Sequence, residues 1–327
     1  MKISVSNKDE IPVFRKNKLL KRLLLVDGSA RCGKTLLCPI LASLADVEIE
    51  RLEPIFEDIS VLDYHGKIDH DAAISLIQQI ADEFIYNSFL SRNTNFRWQD
   101  RSSVFKNPFW TRNIRRLFDK EGGKTLKKIQ ERNPIFQTLS HDQMAYVNFF
   151  FDVYPDGFRM IEIIRNPITL IDAWDRRQLT SRFGEDPLEF TTCVKVGNEV
   201  VPRNVVDWAK EYIEMTPIDR TIRMLHDLQM KNRKVYENLP PSRKKGVHVI
   251  RFEDLVTDTI ERIEVMAHFL ETTTTKITTK TIKKQNCPRI LSVENQNRMF
   301  QDIKSKCSSK SSNLLDKMIT DYENDWV

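Results

Sequence analysis

Residues 28–35 read Gly28-Ser29-Ala30-Arg31-Cys32-Gly33-Lys34-Thr35, which satisfies G-x-x-x-x-G-K-[ST] at every fixed position. Such a loop functions only between a strand and a helix, and the flanking residues predict both. Arg22-Leu23-Leu24-Leu25-Val26-Asp27 is a continuous apolar run of the kind found in a strand covered on both faces. Beyond the loop, Leu36, Leu37, Ile40, Leu41 and Leu44 recur at helical spacing, with Pro39 bending the helix or standing near its first turn. Glycine lets the backbone turn tightly, so that successive N–H groups point inward at phosphate oxygens. The helix start adds partial positive charge. Lys34 brings a mobile full charge, and the Thr35 hydroxyl can donate to phosphate or bind Mg²⁺. Ser29, Ala30, Arg31, Cys32, Gly33, Lys34 and Thr35 are therefore the expected phosphate-binding residues.

The rest of the chain alternates in the same manner. Strand patterns are read at 47–52, 135–139, 158–164 and 247–252, and helical patterns at 69–90, 110–132, up to about 153, and 258–270. This alternation predicts an α/β fold, a P-loop-type parallel sheet flanked by helices, with helical insertions. Residues 1–20 read as an N-terminal arm, 21–310 as a single α/β domain, and 311–327 as a C-terminal helix packed on it. Weak helical patterns lie at 293–306 and 313–322, and the Thr-rich tract 272–281 reads as a loop.

Composition narrows the partners. The 327 residues carry 51 Lys+Arg against 46 Asp+Glu, a net charge of +5 that suits a phosphorylated or sulfated ligand and falls short of a nucleic-acid coat. No nucleic-acid partner and no transmembrane segment are expected, and the polar N-terminus has no signal-like apolar stretch. The five cysteines, Cys32, Cys38, Cys193, Cys287 and Cys307, are odd in number and have no C-x-x-C spacing. That argues against a disulfide framework or a zinc site and for a reducing, cytoplasmic location.

The loop leaves the chemistry open, because P-loop NTPases, P-loop kinases and sulfotransferases all place a phosphate there. Mg²⁺-dependent members need a second carboxylate, usually at the end of a neighbouring strand. The strand 158–164 ends instead in Arg165-Asn166-Pro167, while Asp142 and Asp254 follow other strands.

Three segments, in order, resemble the sulfotransferases that use 3′-phosphoadenosine 5′-phosphosulfate (PAPS). Ser29–Thr35 is similar to that family's 5′-phosphosulfate loop, and Ile163-Ile164-Arg165-Asn166-Pro167 to its 3′-phosphate segment. Val249-Ile250-Arg251-Phe252-Glu253-Asp254-Leu255-Val256, with His268-Phe269-Leu270, resembles its later strand, turn and helix. The resemblance implies PAPS as donor, 3′-phosphoadenosine 5′-phosphate (PAP) as product, and a hydroxyl or amine acceptor on a carbohydrate, lipid or small molecule. Arg165 would hold the 3′-phosphate bidentately. The family commonly has a serine eight residues after this arginine; here Ala173 stands there, so that hydroxyl contact is either lost or supplied by another residue such as Thr169. Lys34 would hold charge on the leaving phosphate, and His141 would take the acceptor's proton, with Glu53 and Asp142 as rival bases. Asp142 would otherwise orient the His141 ring or cap a helix. No metal is needed in this scheme.

Several other residues are candidates for binding. The segment Arg92-Asn93-Thr94-Asn95-Phe96-Arg97, with Asp100 and Ser102, has the hydrogen-bonding mixture of an acceptor loop. Arg176, Arg177, Arg182 and Arg289 are candidate phosphate contacts. The alternatives are a Mg²⁺-ATP phosphotransferase, whose lid would use the arginines at 176–182, and a nucleotide-binding protein without turnover.

Overall fold

The computed structural model describes residues 11–92, 94–100, 103–189 and 191–324. Five strands, β1 (Arg22–Asp27), β2 (Arg51–Leu52), β3 (Ile135–Leu139), β4 (Phe158–Ile164) and β7 (Val247–Arg251), form one sheet in the order β2-β3-β1-β4-β7. Every pairing in it is parallel. Between β4 and β7 in sequence lies an antiparallel hairpin, β5 (Cys193–Val196) and β6 (Glu199–Pro202).

Alternate residues of a strand point to opposite faces. Leu23 and Leu25 accordingly join one apolar cluster with Phe136, Phe158 and Met160. Leu24 and Val26 join another with Ile161, Ile163 and the helix Lys34–Leu41. Both faces of β1 are dry, which is why its sequence is a continuous run rather than an alternation. A third cluster lies beyond the sheet, where the helices Pro167–Asp175, Pro217–Glu237 and Ser309–Asn324 meet around Trp174, Ile222, Leu225, Leu315 and Met318.

Some elements differ from the sequence expectations. The expected helix 110–132 is two helices, Trp110–Arg116 and Gly123–Arg132, parted around Gly122 at φ 87. The expected strand 47–52 is reduced to β2 and one bridge between Val47 and Ile135. The Thr-rich tract turns helical from Thr278 to Lys284. Elements outside the sequence reading include the helix Pro54–Tyr64, the hairpin, the long helix Pro217–Glu237 and several shorter helices. The long helix starts on Thr216, whose hydroxyl accepts from the Asp219 N–H at 3.3 Å, with Pro217 at its first position. Among the described residues no helix is long and apolar enough to cross a membrane.

The helical insertion is tied to the sheet by one buried carboxylate. Glu48 receives Arg116 through both guanidinium nitrogens, at 2.7 and 2.9 Å, and Arg132 at 2.9 Å, with Arg112 at 3.4 Å. Burial opposes the charge on Glu48, but the three arginines outweigh it and hold its pKa at about 2. A folded pKa below the ordinary 4.5 means the contribution is present above that value and is lost as pH falls toward about 2. Glu48→Gln leaves three arginines facing a neutral amide and should cost about 3–5 kcal/mol. Urea unfolding at neutral pH and at acid pH measures this, with the gap between wild type and variant closing as pH falls.

Candidate functional site

The loop closes over the C-terminal edge of β1, and two of its glycines are there for space. A Cβ on Gly28, at φ +128, would lie 2.4 Å from the Ile163 carbonyl oxygen; one on Gly33, at φ +120, would lie 2.4 Å from the Phe252 ring. Within the loop the Lys34 ammonium donates to the Gly28 and Ser29 carbonyls, the latter at 3.0 Å. Burial, the largest influence on Lys34, works against its charge. Cys32, Asp27, Asp142 and Glu57 together outweigh burial and raise its pKa, so the ammonium is charged at neutral pH. The Cys32 thiol is buried and pushed up to about 11, which rules out a ready thiolate nucleophile. The Ala30 carbonyl accepts from the Trp174 indole at 2.7 Å, and Thr35 lies exposed at the helix start.

The neighbouring strands bring side chains to the loop from both sides. On the β3 side, Asp27 at the end of β1 is fully buried and organises the turn: it accepts from the Ser140 hydroxyl at 2.8 Å and from the Gln143 and Met144 N–H groups at 2.6 and 3.0 Å. That turn carries His141 and Asp142. Asp142, at φ 55, accepts from the Ser29 hydroxyl at 2.8 Å, and burial followed by Asp27 raises its pKa. His141 is about one-third exposed, and its Nδ1 lies 3.1 Å from Glu57 Oε1, which also accepts the His141 backbone N–H at 3.1 Å. A carboxylate only accepts, so Nδ1 carries a hydrogen, and the neutral form of this tautomer has its lone pair on Nε2.

On the β4 side, the Arg165 guanidinium donates to the Arg31 carbonyl at 2.7 Å and to the Thr169 hydroxyl at 3.0 Å, and lies 4.6 Å from the centre of the Phe252 ring. Burial lowers its pKa, while Glu253 works in the opposite sense. Thr169 is one turn before Ala173 on the helix that begins at Pro167. Glu253 also receives the Asn166 N–H at 3.3 Å and the hydroxyl of Tyr322 from the C-terminal helix. A cavity of about 40 Å³ lies here, lined by Ser29, Cys32, Glu162, Arg165, Asn232 and Tyr322 among others. A larger one of about 310 Å³ opens at the other end of the strands, around Arg22, Ile135 and Gly157, and shares no residue with the loop.

The expected loop residues, Arg165, Thr169, Asp142 and His141 thus form one contiguous edge. Other candidates lie apart. Glu53 faces Arg51 at 3.6 Å, with burial raising its pKa, and it is Glu57, one turn further along that helix, that holds His141. Asp142 bonds the loop rather than the imidazole, so the ring-orienting part considered for it falls to Glu57. Arg176 pairs with Asp172, Arg182 with Asp186 and Glu189 at 2.8 and 2.6 Å, and the Arg289 guanidinium caps the carbonyls of Gln285 and Asn286. In the segment 92–102, Arg92 pairs with Glu121, Thr94 donates to the Ser91 carbonyl, and Asn95 and Arg97 turn to Asp100. Asn93 and Ser102 lie outside the described residues.

Two site residues escaped sequence reasoning. Glu57 is 84 residues from His141, and no local pattern links them. Glu162 had a signal, an acid inside an apolar strand, and it is in register with Asp27. Burial, then Asp27, lifts its carboxyl well above the usual range. It is a buried floor to the loop, and among the described residues no group of three His, Cys, Asp or Glu side chains is placed to hold a metal ion.

No protein-family model matches the chain, and no curated protein does. Among solved structures it is similar to the sulfotransferase domain from the curacin biosynthetic pathway, at 13% identity over 92% of this chain and 98% of that one, with a TM-score of 0.48. It is also similar to the sulfotransferase domain of the Synechococcus PCC 7002 olefin synthase, at 11% identity over 97% and 100%, TM-score 0.49. A sulfotransferase from Alicyclobacillus acidocaldarius shares 14% identity over 91% and 95%, TM-score 0.39. At such identities and scores these likenesses say nothing of the chemistry, which the side chains alone must carry.

Proposed function

We propose that this chain moves a sulfuryl group from PAPS to an acceptor hydroxyl. The observation that carries the reading is the row of groups across three adjacent strand ends: His141 after β3, the loop with Lys34 after β1, and Arg165 after β4. Neighbouring strands lie about 4.8 Å apart, so the outer two ends are separated by about 10 Å. A donor with phosphates at both the 5′ and 3′ positions needs two anionic anchors. The loop with its Lys34 ammonium supplies one, and Arg165 beside Thr169 supplies the other. An acceptor proton needs a base on the far side, and His141 offers a free Nε2 there.

In this reading the acceptor oxygen bonds to sulfur while the bond from sulfur to the phosphate oxygen breaks. The electron pair goes to that phosphate oxygen, where Lys34 meets it, and the hydroxyl proton goes to His141 Nε2. Glu57 supports the resulting imidazolium through Nδ1–H. Thr169 stands where the hydroxyl missing from Ala173 would be wanted. The lid that a phosphotransferase would make from Arg176 and Arg182 finds those arginines in ion pairs with neighbouring acids.

Calorimetric titration with PAP and with ATP, each with and without Mg²⁺, tests the reading. PAP should bind tightly without metal, and Arg165→Ala should weaken it about ten- to a hundredfold, as expected for charge-assisted bonds to phosphate. The same variant should bind adenosine 5′-phosphosulfate, which has no 3′-phosphate, as wild type does. Preference for Mg²⁺-ATP would overturn the assignment.

A further inference from the structure

On the turn that carries His141, two cations approach Tyr146, and among the described residues neither has an ion-pair partner. The turn that begins at His141 runs on to Tyr146, which is buried and packs edge-on against Tyr64 at 5.1 Å between ring centres. The Lys231 ammonium, from the helix Pro217–Glu237, sits 4.9 Å from the Tyr146 ring centre and 5.0 Å from that of Tyr64. Ring faces hold an ammonium in place but do not cancel its charge. Arg203 follows β6 directly, and its guanidinium lies near the Tyr146 hydroxyl. Its Nε is fully buried with no hydrogen-bond partner.

The hairpin that delivers Arg203 is pinned to the catalytic side of the molecule. The Arg203 N–H donates to the Thr192 carbonyl at 3.2 Å, and the Thr192 hydroxyl donates to Asp58 at 2.6 Å. Asp58 is the neighbour of Glu57 on the helix that holds His141. Lys231 and Arg203 are close enough to repel. Burial first, and then Arg203, lowers the Lys231 pKa, against weaker pulls from Asp207 and Asp142. Of those two acids, Asp207 is exposed and Asp142 is engaged with Ser29. Two like charges brought together at a half-buried wall, one with an unused donor, cost free energy unless an anion answers them.

We infer that Lys231 and Arg203 form an acceptor subsite for an anionic group, so that the acceptor of this chain is a hydroxy compound bearing a carboxylate or a phosphate. This rests on the sulfuryl-transfer reading for what happens to the hydroxyl, but the anion site stands on its own contacts. The anion would lie between the two tyrosines and the hairpin, with the hydroxyl directed along the turn to His141. The donor's phosphates are answered elsewhere, by the loop and Arg165.

The test titrates the full chain, alone and saturated with PAP, with ω-hydroxycarboxylates of increasing length, the matching diol monophosphates and the matching neutral diols. The anionic members should bind about ten- to a hundredfold more tightly than the diols, as charge-assisted pairing predicts. Lys231→Met and Arg203→Met should each remove most of that preference, and Lys231→Arg should keep it, with thermal unfolding showing that each variant is folded. Equal binding of diols and anions, or a preference that survives both methionine variants, would overturn the subsite. So would loss of PAP affinity in Lys231→Met, since the cation would then belong to the donor. If PAP itself does not bind while the anion preference and its loss in the variants persist, the donor reading falls and the subsite stands. Which of the two anions binds better distinguishes a carboxylate acceptor from a phosphorylated one.

Discussion

Lys34→Ala should lower the rate of sulfuryl transfer by about two to three orders of magnitude, the usual effect of removing one preorganised donor from developing charge. The ammonium is already in position, donating to the Gly28 and Ser29 carbonyls at the mouth of the loop. To meet a leaving phosphate it exchanges one of these carbonyls for a phosphate oxygen. Its charge is secured by its surroundings, since Cys32, Asp27, Asp142 and Glu57 together overcome the burial that opposes it. Removing it also takes away a cation that Asp27 and Asp142 face, so thermal unfolding of the variant must be followed beside its activity. Single-turnover transfer from PAPS at saturating donor is the measurement. A variant that folds, binds PAP and transfers at the wild-type rate would remove Lys34 from the chemistry.

His141→Ala should reduce transfer by about a hundred- to ten-thousandfold, the range for a lost general base, and leave PAP affinity intact. The separation between the two effects follows from the sheet order. His141 leaves β3, whereas the loop and Arg165, which in the proposed reading hold the donor, leave β1 and β4. Glu57 is a positioning residue, and Glu57→Gln keeps a hydrogen-bond acceptor for Nδ1–H but not the charge behind it. It should cost about tenfold in kcat with KM little changed, because an imidazolium forms only as the proton moves. A merely structural Glu57 would show its loss in melting temperature instead. Full activity of His141→Ala would pass the base to Asp142 or Glu53. Of these, Asp142 is the nearer to the loop through its bond with Ser29.

Several features could be read along the chain because their physics is local. The run at 22–27, the two glycines and Lys34-Thr35 form strand, turn and helix within a few residues of one another, and the structure has them there. Phe158–Ile164 ends at Arg165-Asn166-Pro167 because Asn166 caps the next helix, accepting from the Ile168 N–H at 3.0 Å, and proline suits its first position. The hairpin carried a local signal that the sequence reading missed: Val194-Lys195-Val196, the two-residue turn Gly197-Asn198, then Glu199-Val200-Val201. The helix 217–237 escaped in a different way, as a mainly polar stretch whose apolar stripe of Ile218, Ile222, Leu225 and Leu228 is diluted by charge.

By itself the sequence determined that a glycine-bounded G-x-x-x-x-G-K-T loop joins a buried strand to a helix, and that an arginine and a histidine each stand at the end of a strand. Only the tertiary structure decided that these strands flank the loop on opposite sides, since the order β3-β1-β4 is set by crossovers and not by any local pattern. It also decided that Glu57 and not Asp142 turns the imidazole, and that Lys231 and Arg203, 28 residues apart, share one wall beside Tyr146. Strand, turn and helix arise from interactions between neighbours in the chain. The candidate site is made by residues that meet only after the sheet is assembled, and no spacing along the chain records that meeting.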